Sequence, residues 1–436
     1  MISKILQTYR TAYAGLPREV WLISAALLIN RFGTMVLPFL MLYLTRELEF
    51  GETSAGSLLS VYGFGAIIGT YFGGRLTDRV GAIRLQILLL FGSVPMFLAL
   101  PFCSSWTSIA ACLFALSVFS EGVRPANSTA VAQMAPEGLQ TRAFALQRMA
   151  LNLGFSFGPV IGGLLTTISF FWLFVVDAGT TFLCAVALIL FFGFGRNLPT
   201  FTPLEEEAVS PIAPVSKGIV EPTEEASPLD SPWRDRRYLS FLGLLLIGSI
   251  VFFQFQSTYP LYLQDHYGLS ELGIGLIFSV NTLVIILFEM VLVEYVRRWR
   301  LLVLVGWGCF FSCLGFGILP YGDTVLFCVF SMLLLSLGEM LSMPLSSGWV
   351  AQRSRNSDQG WYMGLYSMNY SVAFLIAPAL GGAIYEIDSF QLFSIDWSGP
   401  ELIWNMSILV GVLVLIGFYW LDRLGRQRVD SRCLGE

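Results

Sequence analysis

Long apolar runs separated by short polar stretches dominate this chain. Twelve runs, each with about 20 mostly apolar residues, occupy approximately 19–45, 53–74, 82–103, 106–128, 143–167, 170–194, 238–263, 272–296, 301–320, 324–346, 361–385 and 402–421. A helix needs about that many residues to cross the hydrocarbon of a bilayer. Open strands cannot satisfy their backbone in lipid, and barrel strands alternate in polarity. These runs are continuously apolar, so the sequence predicts an all-α integral membrane protein with 12 transmembrane helices. Between 195 and 237 the pattern lapses. Pro199, Pro203, Pro211, Pro214, Pro222, Pro228 and Pro232, with acidic Glu205, Glu206 and Glu207, predict a polar linker that buries too little to fold. The predicted organisation is a six-helix half over 1–194, a cytoplasmic linker over 195–237 and a second six-helix half over 238–436.

The halves repeat. Shifted by 219 residues, Leu42-Tyr43-Leu44 falls on Leu261-Tyr262-Leu263, and Glu52, Gly56, Ser60 and Val61 fall on Glu271, Gly275, Ser279 and Val280. Pro125 meets Pro344, Val131-Ala132-Gln133 meets Val350-Ala351-Gln352, and Pro159, Gly162 and Gly163 meet Pro378, Gly381 and Gly382. From Leu42 to Gly163 at least 25 of 122 positions are identical, against roughly 7–8% expected by chance. Six spans separate the copies, so they have parallel topology. Two parallel, pseudo-symmetric six-helix halves with a site between them is a transporter architecture.

Composition agrees and excludes alternatives. Charged residues make up 13% of the chain, where a soluble domain carries about 25%. That leaves too few to coat a soluble body, and no basic face for nucleic acid. Of the 25 Lys and Arg, Arg46 falls in an outer loop and Arg31, Arg124 and Arg148 fall within spans. The other 21 lie on one side when the N-terminus is placed inside, which predicts both termini in the cytoplasm. The first eighteen residues read as a basic, amphipathic lead-in and not a cleavable signal. Seven Cys make no disulfide framework, and Cys309 and Cys313, a helical turn apart, read as small core hydrophobes. No metal site, cofactor or ATP-binding loop is expected. Gly154, Ser156 and Gly158 match a hydrolase elbow by spacing, but that elbow needs a strand-turn-helix context and a His partner. The single His, His266, lies in an outer loop, so an enzyme is not expected.

The loop between spans 2 and 3 reads Gly74-Arg75-Leu76-Thr77-Asp78-Arg79-Val80-Gly81-Ala82-Ile83-Arg84. It resembles the signature loop of the major facilitator superfamily, Gly-x-Leu-x-Asp-Arg-x-Gly-x-x-Arg, in the place where that family has it. The resemblance implies a cytoplasmic latch made of Gly74, Asp78, Arg79, Gly81 and Arg84, with Asp78 capping the start of span 11 near Gly360. In the second half only Arg79 is matched, by Arg298. Span 5 carries Gly154, Gly158, Pro159, Gly162 and Gly163 in the order Gly-x-x-x-Gly-Pro-x-x-Gly-Gly, which is similar to the helix-packing motif of the 12-span drug/proton antiporter branch. Small residues there let helices approach closely. Span 4 departs from that branch: Val118 stands at its Arg position and Glu121 at its Gln position, with Arg124 displaced to just before Pro125.

Polar residues inside spans mark a cavity or a partner, because a charge at mid-bilayer costs about 2.5–3.5 kcal/mol. The candidates for substrate binding or proton coupling are Asn30 and Arg31 (span 1), Glu121, Arg124 and Asn127 (span 4), Asn152 (span 5), Gln254 and Gln256 (span 7), Asn281 and Glu289 (span 8), Glu339 (span 10) and Asn369 (span 11). Span 6 carries Asp177. The working model pairs Arg31 with Glu121 and takes Glu289 or Glu339 as a titratable carboxylate in the second half. The resemblance implies a secondary active transporter working by alternating access, in a bacterial cytoplasmic membrane. Proton-driven efflux of amphipathic small molecules is the leading expectation. Uptake symport of a carboxylate- or peptide-like solute is the alternative, because Asn30-Arg31-Phe32 resembles part of the first span of proton-coupled peptide transporters. A lipid or lysolipid carrier is third. The expected partners are a small-molecule substrate and the bilayer, with no nucleic acid and a monomeric chain.

Overall fold

The computed structural model describes residues 15–136, 139–193, 232–296, 299–354, 359–388, 390–392 and 395–433. The lead-in up to residue 14 and the linker over 195–231 lie outside the described residues, as does the side chain of Asp78. Eleven helical stretches among the described residues are long and apolar enough to cross a membrane, and Leu301–Gly317 is a shorter apolar twelfth. In chain order the spans are Arg18–Phe32 with Val36–Leu42 (span 1), Glu52–Val80 (2), Ala82–Ala99 (3), Trp106–Met134 (4), Gln140–Thr166 (5) and Phe171–Phe192 (6). Arg236–Phe252 with Thr258–Asp265 (7), Glu271–Val296 (8), Leu301–Gly317 (9), Val325–Arg353 (10), Gln359–Tyr385 (11) and Gly399–Cys433 (12) follow. A small antiparallel hairpin between spans 11 and 12 pairs Phe390 with Trp397 and Leu392 with Ile395.

Local chemistry places the ends. Ser105 opens span 4 in a capping box with Ser108, and Thr324, at the repeat-equivalent position, caps span 10 by accepting from Phe327 N–H. Asp235 caps span 7, accepting from the N–H groups of Arg237 and Tyr238. Gly81, with φ +91°, makes the turn from span 2 into span 3 that a side chain would strain.

Two compact units form. One contains Met1–Val36 and Val61–Glu205, the other Leu37–Ser60 and Glu206–Glu436. In the first, Gly65, Gly69 and Gly73 of span 2 lie against span 4 at Phe114, Val118 and Gly122. Ile23, Ile87, Leu90, Leu146, Ala185 and Leu188 build its core. In the second, Gly308 and Gly338 bring spans 9 and 10 backbone to backbone, and Phe241, Trp349 and Phe418 pack in the core with Cys309.

Residues 37–60 pack in the second unit through specific contacts. Arg46 pairs with Asp265 and donates from Nε to Gln264 at 3.1 Å. Asp265 also accepts from the Tyr385 hydroxyl at 2.9 Å. Ser60 Oγ accepts from Ala379 N–H at 3.1 Å, next to the helix-interior Pro378. The opposite end of this unit is braced by two ion pairs. Arg353 Nε and Nη2 reach Asp235 at 2.7 and 2.8 Å, and Arg300 reaches Asp422 at 2.5 Å. Asp235 further accepts from the Tyr362 hydroxyl at 3.2 Å. Burial pushes the Asp235 carboxyl up, but the bonds and charge of Arg353, the Tyr238 N–H and the Tyr362 hydroxyl outweigh it and hold the group below the ordinary carboxylate range.

Spans 1 and 7 are both broken. Span 1 stops at Phe32 and restarts at Val36. Span 7 stops at Phe252, tightens into a 3-10 turn over Phe253–Gln256 and restarts at Thr258. The 219-residue shift carries Gly33–Met35 onto Phe252–Gln254, so the breaks are repeat-equivalent.

Candidate functional site

In the first unit the polar side chains gather around span 4. Glu121 is buried and pairs through Oε2 with Arg124 Nε at 2.7 Å, while its Oε1 accepts from the Tyr62 hydroxyl of span 2 at 3.4 Å. The expected Arg31–Glu121 pair is thus corrected: among the described residues the ion pair of Glu121 is to Arg124. Residues three apart share a helix face, so Arg124 reaches the carboxylate without crossing to another span. Arg31 takes a different place. Its guanidinium lies 5.4 Å over the Phe155 ring, and its buried Nε has no hydrogen-bond partner. Asn30 Nδ2 donates to Thr181 Oγ1 at 3.4 Å, fixing span 1 to span 6.

The span-5 motif seats span 1. Gly154 lies directly against the Cβ and backbone of Arg31, and Gly158 faces the carbonyls of Arg31, Phe32 and Thr34, where span 1 breaks. Small residues are required because the Arg31 Cβ and the span-1 backbone fill the space. Asn127 is buried and Asn152 half-buried, and no described hydrogen bond joins either to the Glu121 group.

In the second unit, Asn281 Nδ2 of span 8 donates to Glu339 Oε2 and to Ser336 Oγ of span 10, each at 3.1 Å. Asn281 stands one repeat after Tyr62, and Glu339 falls one position off the repeat image of Glu121. Both units therefore hold a span-4-type carboxylate with a donor from the same neighbouring span. Glu289 is buried on span 8. Gln254 serves its own break: Nε2 donates to Ala377 carbonyl at 2.8 Å, and Oε1 accepts from the Ser257 and Thr258 hydroxyls at 3.0 and 2.8 Å. Gln256 is half-buried with no described part in that network. Asn369 is buried on span 11 with an unpartnered Nδ2.

Of the predicted latch, Gly74 sits beside Pro125 and the side chain of Asp78 lies outside the described residues. Among the described residues no three His, Cys, Asp or Glu come together as a metal site.

Sequence reasoning missed Tyr62, Ser336 and the work of Asp177, whose carboxylate accepts from the Met35 and Val36 N–H groups at the span-1 break. The repeat carried a signal for Tyr62, since it is the image of Asn281. Nothing near residue 35 announces a partner 142 residues away.

Residues 23–378 match the Major Facilitator Superfamily. The chain belongs to that superfamily. It is a multi-pass membrane transporter of the secondary type and not an enzyme. It is 24% identical over 416 residues to a Na(+), Li(+), K(+)/H(+) antiporter of Planococcus maritimus, covering 90% of this chain and 92% of that one. It is 22% identical over 375 residues to multidrug resistance protein 1 of Bacillus subtilis, covering 85% and 89%. A solved POT family transporter in complex with 5-aminolevulinic acid matches with a TM-score of 0.73 at 18% identity, covering 95% of this chain and 97% of that one. At that identity the likeness is one of fold.

Proposed function

We propose that the protein is a proton-driven exporter of amphipathic small molecules. The observation that carries this reading is the pair of repeat-related carboxylates, Glu121 held by Tyr62 and Glu339 held by Asn281. A carboxylate inside a span is costly to keep charged, so it gains and loses a proton as its access to water changes. Glu121 is paired with Arg124, and Glu339 accepts from the Asn281 amide. Protonation of Glu121 frees Arg124, and a freed guanidinium within a span must find another anion or water. Efflux is favoured by the span-5 motif, which here seats Arg31 and the span-1 break, and by relatives whose names are antiporter and multidrug resistance protein.

The test is flux in inverted vesicles energised by respiration, loaded with a fluorescent amphiphile. Protonophore-sensitive accumulation is expected in the wild type, and loss of it in Glu121→Gln or Glu339→Gln. Unchanged coupling in both variants refutes the carboxylate assignment. One observation favours a second reading: the unpartnered Nε of Arg31 suits a carboxylate-bearing solute taken up with protons. Proton-linked entry of an amino-acid or peptide panel into right-side-out cells, lost in Arg31→Lys, selects that reading instead.

A further inference from the structure

Asp177 is a buried carboxylate that the Glu121 and Glu339 groups leave unused. It projects from span 6 and is 2% exposed. Its oxygens accept three contacts, all from backbone: Met35 N–H at 3.1 and 3.3 Å and Val36 N–H at 3.0 Å. Val36 N–H has no other described acceptor where span 1 restarts, while Met35 N–H is shared with the Gly33 carbonyl at 2.8 Å. Val36 is also the last residue of this stretch to belong to the first unit, and Leu37 begins a segment of the second. Asp177 therefore grips the backbone at the point where the chain passes from one unit to the other.

No described cation pairs with it. On span 1, Arg31 stacks over Phe155 and lies in the field of Glu121, Arg124, Tyr62 and Cys184. On span 3 the charged residue is Arg84, in the first turn; on span 5 the charged residues are Arg142 and Arg148, in the first three turns. On span 6 itself Cys184 is two turns further along, and Cys103, beyond the short turn after span 3, bonds to Ala99 carbonyl. The groups that favour a charge on Asp177 are thus the Met35 and Val36 N–H groups at the start of the second segment of span 1.

We propose that Asp177 is a proton-binding site of the transporter, and that the state of the span-1 break sets whether it is occupied. The inference rests on the proton-coupled reading above. While Met35 and Val36 present their N–H groups, they favour the charged carboxylate. When the break rearranges and withdraws them, the bare carboxylate in a low-dielectric surround takes up a proton on one oxygen and becomes a neutral acid. Linkage makes this reciprocal: binding the proton releases the grip on span 1. A proton fits and a metal cation does not, because the carboxylate faces N–H donors, whereas Na⁺ or Ca²⁺ needs a shell of oxygen acceptors.

The full-length protein, reconstituted and labelled with 13C-aspartate, is titrated between about pH 4 and pH 10 by infrared difference spectroscopy. A protonated carboxylic-acid band is expected that Asp177→Asn removes. Where that variant does not fold, Asp177→Glu takes the residue out of the labelled set and assigns the band equally. Val36→Pro tests the link to the break. Proline is tolerated at the first position of a helix and deletes one of the two donors. The midpoint of the Asp177 band is expected to rise by about one to two pH units in Val36→Pro. Absence of any Asp177 band over the range, or an unmoved midpoint in Val36→Pro, overturns the proposal. Failure of the proton-driven reading is distinguishable: flux in the wild type that ignores protonophore, with the Asp177 band present and shifted by Val36→Pro, refutes that reading and upholds the proton site.

Discussion

Breaking the Asp235–Arg353 pair should destabilise the second unit more than any surface change. The side chains are 3% and 13% exposed, and Asp235 spends its remaining acceptor capacity on Arg237 N–H, Tyr238 N–H and the Tyr362 hydroxyl. Arg353→Met removes the cation and leaves a buried carboxylate, which costs about 3–5 kcal/mol. For a folded unit of this size that is a fall in melting temperature of about 6–20 °C. Thermal unfolding in detergent, followed by intrinsic fluorescence of the 11 Trp, reads it directly. The pH dependence has a definite sign. In the wild type the Asp235 carboxyl sits below its unfolded value, so its contribution is complete above about pH 4 and is lost as pH falls through the folded value. Without Arg353, burial drives the same group above its unfolded value, and stability is then lost as pH rises through it. The gap between wild type and Arg353→Met is therefore largest near neutral pH and shrinks toward pH 4. Asp235→Asn combined with Arg353→Met leaves no unpaired charge and should recover more than half of the loss. A fall below about 2 °C in Arg353→Met at pH 7, or a double variant no better than the single, refutes the view that this pair clamps spans 7, 10 and 11.

Gly33→Ala places a methyl group into Thr180 Oγ1 at the span-1 break, so folded yield should drop several-fold on size-exclusion chromatography, with Thr180→Ala restoring part of it. Gly154→Ala pushes on the Cβ and backbone of Arg31; overpacking should cost about 1–3 kcal/mol on thermal unfolding, and transport per folded protein should fall about tenfold or more. Arg46→Ala removes a pair whose side chains are each 39% exposed, and screening limits its effect on stability to under about 1 kcal/mol; a larger loss on thermal unfolding at 0.15 M salt would show that Tyr385 and Gln264 make the group cooperative.

The span count and the repeat are legible because both rest on long-range composition. Twelve apolar runs register whatever the details of packing, and identities such as Pro125 with Pro344 mark prolines inside equivalent helices. Caps are legible in part: Ser105 and Thr324 stand before apolar runs at equivalent positions. The Glu121 partner was legible by spacing, since Arg124 lies three residues on, but a long-range pair to Arg31 looks equally good on a sequence with no distances. Two features were not legible. Residues 37–60 read as ordinary span and loop, yet Arg46, Ser60 and Gly56 make their contacts with Asp265, Ala379 and Pro378. The break at Gly33–Met35 lies inside an apolar run with a single glycine to mark it, and its cap comes from another span.

The two breaks show where a repeat stops being symmetric. Both occur at equivalent positions, and both rest on a Pro-containing helix of the same half: Gly158 beside Pro159 under span 1, Ala377 beside Pro378 under span 7. Packing therefore conserves the shape of the break. The side chains at the two breaks differ in kind. Span 7 is held by Gln254, a neutral amide that keeps its charge state at every pH. Span 1 is held by Asp177, a carboxylate brought from span 6. A break held by an amide responds only to mechanical displacement, whereas one held by a carboxylate also responds to protons. If both were amides, proton binding would have no route to the break through these side chains. Gln254→Glu is the converse experiment. It brings a titratable group to span 7, and it should add a pH-dependent step to the unfolding of the second unit, because Ala377 carbonyl would then face a carboxylate that must hold a proton to bond it.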